Sequence, residues 1–180
     1  MKYLSKTKGL IRLKNLKDAF RSFISANYEH RAKSCVTCEA PGACCLDSHF
    51  VNVHISSLEA VLIERKLAQF PDSRRTAIYK RIDNSIAKYE LSADADSFSR
   101  SFACPLFEPG AGCLVHEDGK PLACIAHACY ASSSDLPPDE LLREQEILVD
   151  ALNTRVFGDR QHWLPLPLAI KTISDRDASE

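Results

Sequence analysis

The chain has little of several common features, and each shortage excludes a class of protein. Six glycines in 180 residues are too few for a loop-dominated miniprotein. No apolar run approaches the ~20 residues that a membrane-spanning helix needs. No apolar run of about 7–15 residues follows the basic N-terminal segment, as it would in a secretory signal. We therefore expect a cytoplasmic protein with no membrane partner.

The bulk composition is that of an ordinary folded domain. Hydrophobic residues make up 45% of the chain and charged residues 26%, which is typical of soluble proteins. A chain of this length can bury a sizeable core without cross-links. A disulfide-linked scaffold is therefore the weaker interpretation of its cysteines, since such scaffolds mainly serve smaller secreted chains.

What the chain does have is eight cysteines confined to two short windows. The first window holds Cys35, Cys38, Cys44 and Cys45, and the second holds Cys104, Cys113, Cys124 and Cys129. Thiolate ligands must converge on one small volume, so this distribution predicts a metal site assembled from two separated loops. In a reducing compartment, clustered cysteines more often bind metal or do redox chemistry than form stable disulfides.

The spacing within the first window is informative. Cys35-x2-Cys38 lets a tight turn aim two sulfurs at one ion. Cys44 and Cys45 are adjacent, and adjacent side chains of an extended chain point to opposite sides. Such a pair can supply two ions, or one ligand and one bridge. Eight thiols suffice for two tetrahedral zinc sites, so zinc is the first choice and iron or an iron–sulfur cluster the second. A single methionine argues against copper(I).

Histidines near the windows could add nitrogen ligands. His116 and His127 each lie within three residues of a cysteine, so both are secondary candidates. The other histidines are interpreted as surface or hydrogen-bonded residues, and they are His30, His49, His54 and His162.

The periodicity predicts a mainly α, small single domain. It has about four helices around an irregular, turn-rich, cysteine-lined metal core, with at most a short β-hairpin across Cys113–His116. The first predicted helix covers about residues 10–28, and the second follows a cap at Ser56 or Ser57 and ends before Pro71. The third follows a cap at Asp72 or Ser73 and runs to about Glu90, and the fourth runs from after Pro138 to about Phe157. Residues 163–168 are predicted to be extended. The predicted segments are a basic N-terminal helix (1–30), the cysteine-cluster domain (31–132), a C-terminal helix and extended segment (133–173) and a frayed tail (174–180).

The charge is unevenly distributed. Residues 1–33 hold nine Lys or Arg against two acids, a balance of +7, which leaves −8 for residues 34–180 at a net charge of −1. The basic N-terminal helix could dock an acidic protein partner through Lys14, Lys17 and Arg21, although a helix with a basic polar face is the simpler interpretation. No recognised nucleic-acid module is present, so nucleic acid is not an expected partner.

The order of these elements resembles a known family. Cys35-x2-Cys38 with Gly42-Ala43-Cys44-Cys45, then Cys104-Pro105, Gly112-Cys113 and Lys120-Pro121-Leu122-Ala123-Cys124, is similar to the YkgJ-type (CxxCxxxCC) cysteine-cluster family of zinc- or iron-chelating domains. The similarity runs over about residues 35–129, with Cys129 in the place of a variably spaced eighth cysteine. It departs from the family pattern by five residues between Cys38 and Cys44 and by His116 where the family has tyrosine. The resemblance implies metal chelation and no settled reaction.

Two other functions remain open from the sequence. An open coordination position beside Glu108, Glu117 or Asp118 would make a metalloenzyme, although a solvated loop face is the simpler interpretation of these acids. A redox dithiol at Cys35-x2-Cys38 would need a βαβ setting, and a turn follows instead. No catalytic residue is assigned.

Overall fold

The structure is a computed structural model that describes residues 2–32, 42–46, 52–93, 97–130, 132–158 and 162–177. This part of the chain is mainly helical with two short two-stranded sheets, which confirms the predicted fold class. None of its helices combines the length and apolarity that a membrane crossing needs. The chain divides into two compact units, each built from two separate segments.

The first unit comprises Met1–Pro41 and Pro121–His162. Its helices are α1 (Lys6–Asn27), α4 (Leu122–Ala126) and α5 (Asp139–Phe157), with short 3-10 turns at Glu29–Arg31 and Ser133–Asp135. Helix α1 packs against both α4 and α5. Its apolar side chains at helical spacing form the buried face, and the main ones are Leu10, Leu13, Phe20 and Ile24.

The second unit comprises Gly42–Lys120 and Trp163–Glu180. Its helices are α2 (Ser57–Leu67), α3 (Asp72–Lys88) and α6 (Leu166–Asp177), and its 3-10 turns are Ala43–Cys45 and Ser97–Ser99. Strand β1 (His54–Ile55) pairs antiparallel with β4 (Leu164–Pro165), and β2 (Phe107–Glu108) pairs antiparallel with β3 (Gly112–Cys113). Helix α6 packs on α2 and α3, around the fully buried side chains of Leu58, Ile63, Ile78, Ile82 and Ile170.

The start of α2 follows directly from its sequence. The Ser56 hydroxyl accepts a hydrogen bond from the Glu59 amide at 3.2 Å, and the Glu59 carboxylate accepts one from the Ser56 amide at 3.2 Å. This reciprocal capping box satisfies two donors that the first helical turn leaves without partners. The predicted cap at Ser56 is confirmed.

The C-terminal segment differs from the expectation. Residues 166–177 form helix α6, although residues 163–168 were expected to be extended and the chain from 174 onward to be frayed. The expectation of an extended segment rested on the prolines of this region, which usually interrupt a helix. Pro167 is the second residue of α6, where a missing amide hydrogen breaks no intrahelical bond.

Two other local predictions were wrong. The residue before α3 is Pro71, which makes no side-chain cap, and the predicted caps Asp72 and Ser73 lie inside the helix. The hairpin pairs Phe107 with Cys113, so the residues that follow Cys113 form a turn instead of a strand. The short helix α4 was not predicted.

Candidate metal centre

A short hairpin in the second unit carries two of the cysteines. Phe107 lies opposite Cys113 and Glu108 opposite Gly112, so each strand has only two residues. Cys104 precedes the first strand by three residues, and Cys113 ends the second. The hairpin therefore brings residues nine positions apart into neighbouring places.

Both cysteines open the same kind of turn. The Phe107 amide donates to the Cys104 carbonyl at 3.2 Å, and the His116 amide donates to the Cys113 carbonyl at 3.2 Å. Each is a four-residue turn closed by a hydrogen bond between its first and fourth residues, and Pro105 occupies the second position, which favours proline. Each cysteine sulfur is therefore held at the entrance of a compact loop.

The backbone amides of each turn also form hydrogen bonds with the cysteine sulfur. Local burial raises the pKa of the Cys104 thiol to about 12, while backbone hydrogen bonds from Leu106 and Phe107 act in the opposite direction. Burial likewise raises the pKa of Cys113, against a backbone hydrogen bond from Val115. Both groups are neutral thiols at pH 7. A bound cation would displace their protons, and the same backbone amides would then stabilise the thiolates.

The first cysteine window reaches the second in this unit. The Cys104 amide donates to the Cys45 carbonyl at 2.8 Å. The Cys44 thiol interacts electrostatically with both Cys104 and Cys113, which also interact with each other. Three sulfurs from two distant stretches of sequence thus occupy one neighbourhood.

The adjacent pair does not have the backbone that we expected. Cys44 and Cys45 lie in the 3-10 turn Ala43–Cys45, not in an extended segment. Successive residues of such a turn are about 120° apart around its axis. The expectation of sulfurs on opposite sides is therefore wrong, although the two side chains still point in different directions.

Gly42 fixes this turn against the hairpin. Its φ is +84°, and a Cβ atom added there would lie 2.1 Å from the Phe107 ring. A side chain is thus excluded both by the backbone conformation and by the ring. The Gly-Ala-Cys-Cys segment can approach the hairpin only because glycine is present at this position.

The remaining candidate ligands are distributed more widely. Cys124 lies in α4 and Cys129 shortly after it, both half-buried in the first unit, while His127 is exposed at the end of α4. His116 is the exposed last residue of the Cys113 turn. Cys35 and Cys38 lie outside the described residues, as does His49. The six cysteines that the structure describes are all thiols.

The candidate ligands that the structure describes do not form a closed ligand shell. Within the described ranges, no three Cys, His, Asp or Glu side chains lie close enough together to hold one ion. The neighbourhood of Cys44, Cys104 and Cys113 is therefore a cluster of thiols and not a completed coordination site.

His54, interpreted from the sequence as a non-ligand, is buried with 7% exposure. Its ring stacks on Phe98 at a centroid distance of 4.0 Å, and its Nδ1 lies 3.5 Å from the Asn52 carbonyl oxygen. Burial lowers its pKa, which the Asn52 contact partly offsets. The ring is held as a neutral packing element.

Two acids considered for catalysis are held in ion pairs. Glu108 accepts a hydrogen bond from Arg74 at 2.6 Å, and this contact lowers the pKa of Glu108. Asp118 lies 3.5 Å from the Lys66 ammonium. Arg74 and Arg81 could not be predicted from the sequence, because arginines on a helix carry no local signal of a partner 34 or 24 residues away.

The basic face of α1 is smaller than the sequence indicates. Lys17 is only 4% exposed. The expectation that it is a docking residue is therefore wrong. Lys14 is exposed and Arg21 half-buried. An interaction through this helix would have to use the exposed basic residues, which include Lys8, Arg12 and Lys14.

Comparison with known proteins adds no family. The chain matches no protein-family model, and no curated protein or solved structure is significantly similar to it. The resemblance to the YkgJ-type family rests on the short cysteine motifs alone.

Proposed function

We propose that the chain binds metal through cysteine thiolates, with zinc as the first choice and iron or an iron–sulfur cluster as the second. The observation that carries the proposal is the pair of equivalent turns at Cys104 and Cys113, with Cys44 of the other window beside them. A turn whose backbone amides face a cysteine sulfur stabilises the thiolate form, which is the form that binds metal.

The donor chemistry of the second unit fits zinc. Cys44, Cys104 and Cys113 would supply three of the four sulfur donors that a tetrahedral structural zinc site takes, and Cys45 would supply a second ion or a bridge. Bound zinc would cross-link the Gly-Ala-Cys-Cys turn to the hairpin and so contribute to folding stability. Cys35, Cys38, Cys124 and Cys129 are proposed as further ligands on the resemblance to the family, with His116 and His127 as secondary candidates.

A structural, storage, delivery or sensing role fits better than catalysis. Glu108 and Asp118, two of the acids near the hairpin, are in ion pairs with Arg74 and Lys66. The contact with Arg74 keeps Glu108 ionised, so Glu108 cannot donate a proton near neutral pH. A metalloenzyme with an open coordination position is therefore the weaker alternative.

Elemental analysis tests the proposal. The protein is purified under reducing conditions without added metal, and its absorbance spectrum is recorded beside that of the Cys104→Ser/Cys113→Ser double variant. About two colourless zinc ions per chain are expected from eight thiolates at four per ion, and less zinc in the double variant. A brown or red sample would assign iron. Protein that neither retains zinc nor binds it on titration would contradict metal binding.

The exposed basic residues of α1 could also contact an acidic protein partner in the cytoplasm, where clustered thiols stay reduced. Ile11, beside them on the same helix, is 57% exposed and adds apolar surface. Charge reversal at Arg12 and Lys14 should abolish capture of such a partner, and unchanged capture would refute the docking surface.

A further inference from the structure

Helix α3 is tied to the cysteine hairpin by a group of three charged residues. Arg74 Nη2 lies 2.6 Å from Glu108 Oε2, and Arg81 Nη1 lies 3.8 Å from Glu108 Oε1. Glu108 belongs to strand β2, between the two cysteines. Two arginines on one helix thus hold one carboxylate of the hairpin.

The second arginine also reaches the turn that carries a cysteine. Arg81 Nε donates to the Pro105 carbonyl at 3.0 Å, and Pro105 directly follows Cys104. The Arg81 Nη2 atom is buried and has no hydrogen-bond partner among the described residues. The position of this guanidinium is therefore set by Pro105, Glu108 and packing.

The hairpin itself is short, although Leu106 and Val115 in its turns are buried. Its strands are two residues long, and an isolated two-stranded hairpin is marginally stable at best. Gly110, at its tip, would have nothing within 4 Å of an added Cβ atom. Contacts to α3 can therefore decide how closely the two cysteine turns keep their mutual position.

We propose that Arg74 and Arg81 are positioning residues for the cysteine site, because they clamp Glu108 and the Cys104 turn onto α3. This inference rests on the proposed metal binding. The clamp contributes no ligand. It keeps the Cys104 and Cys113 turns together before an ion binds. Without the clamp, the binding of the ion would also have to order the hairpin, and the affinity would be lower. Loss of groups that support metal ligands typically weakens metal binding by about 10- to 100-fold.

The test compares zinc affinities by competition with a chromophoric chelator. Glu108→Gln and Arg74→Ala should each weaken zinc binding by about 10-fold, and Arg74→Lys should restore most of the affinity because it keeps the cation. The cobalt(II) absorbance spectrum at saturation should be unchanged, since all ligands remain. The matched control is Asp83→Asn, which removes a carboxylate from another ion pair of α3, to Lys171 at 3.2 Å.

The outcomes separate the two proposals. Wild-type protein that binds no zinc or cobalt would overturn the metal site and the clamp together. Wild-type protein that binds zinc, with Glu108→Gln and Arg74→Ala within twofold of its affinity, would overturn the clamp alone. An equal loss in Asp83→Asn would also overturn it, because the effect would then be general to α3. Helical circular dichroism verifies that each variant is folded.

Discussion

Two parts of the second unit are stabilised in different ways. The helices α2, α3 and α6 enclose apolar side chains with no exposed surface, such as Ile63, Ile82 and Ile170. The hairpin with its cysteine turns depends on two-residue strands, ion pairs and close contacts such as that of Gly42 with Phe107. The difference teaches that the helices depend mainly on burial, whereas the cysteine region combines buried residues such as Leu106 and Val115 with polar contacts that a bound ion would reinforce.

The buried faces of the helices should be sensitive to loss of apolar volume. Ile82→Ala, at a site with no exposure, should lower the free energy of unfolding by about 2–5 kcal/mol because it leaves a cavity. Ile147→Ala, where the side chain is 62% exposed, should change it by less than about 0.5 kcal/mol. Urea titration followed by circular dichroism measures both. Equal effects would show that burial does not distinguish the sites.

The cysteine part should be the one that responds to zinc. Free zinc at about 100 times its Kd should stabilise the wild-type protein by about 3 kcal/mol. Cys113→Ser should reduce this gain, because one thiolate ligand is lost. Ala111→Ser, an exposed substitution in the same hairpin, should keep it. The same titration with and without zinc checks the prediction, and a full response in Cys113→Ser would remove Cys113 from the ligand set.

Two glycine substitutions test whether the close approach of Gly42 to the Phe107 ring matters for stability. Gly42 and Gly110 both have φ near +80°, so alanine at either should cost about 1–2 kcal/mol of conformational energy. Only at Gly42 would the new Cβ atom also meet the Phe107 ring. Gly42→Ala should therefore be the more destabilising and should also weaken zinc binding. Equal losses of stability in the two variants would contradict this. They would mean that the Phe107 ring moves aside without displacing Cys44 and Cys45.

The smallest effect concerns pH. Burial lowers the pKa of His54 in the folded state, so below about pH 6.5 the unfolded chain binds a proton that the folded chain does not. The free energy of unfolding should therefore fall as the pH drops below about 6.5, until His54 also protonates in the folded state. The metal-free wild type should lose more stability between pH 7.5 and 5.5 than His54→Gln. Parallel pH profiles would contradict this.

The sequence predicts most of the helices because their signals are local. The apolar spacing of α1 and the cap at Ser56 both identify structure within a few residues. Helix α6 is missed because Pro165 and Pro167 look like a break, although Pro167 falls where a helix tolerates it.

The candidate site also has a part that could be predicted from local sequence and a part that could not. The clustering of cysteines predicts that the windows meet, and Cys45 and Cys104 do meet through their backbones. The clamp of Arg74 and Arg81 on the hairpin depends on pairs far apart in sequence. Such pairs leave no periodicity, so only the folded chain reveals them.

X-ray absorption at the zinc edge tests the central claim most directly. If cysteine sulfurs hold the ion, the spectrum of the zinc-loaded wild type should show sulfur neighbours at about 2.3 Å, and their number should fall in the Cys104→Ser/Cys113→Ser variant. A first shell of nitrogen and oxygen alone, at about 2.0–2.1 Å, or a spectrum unchanged in the variant, would contradict the account.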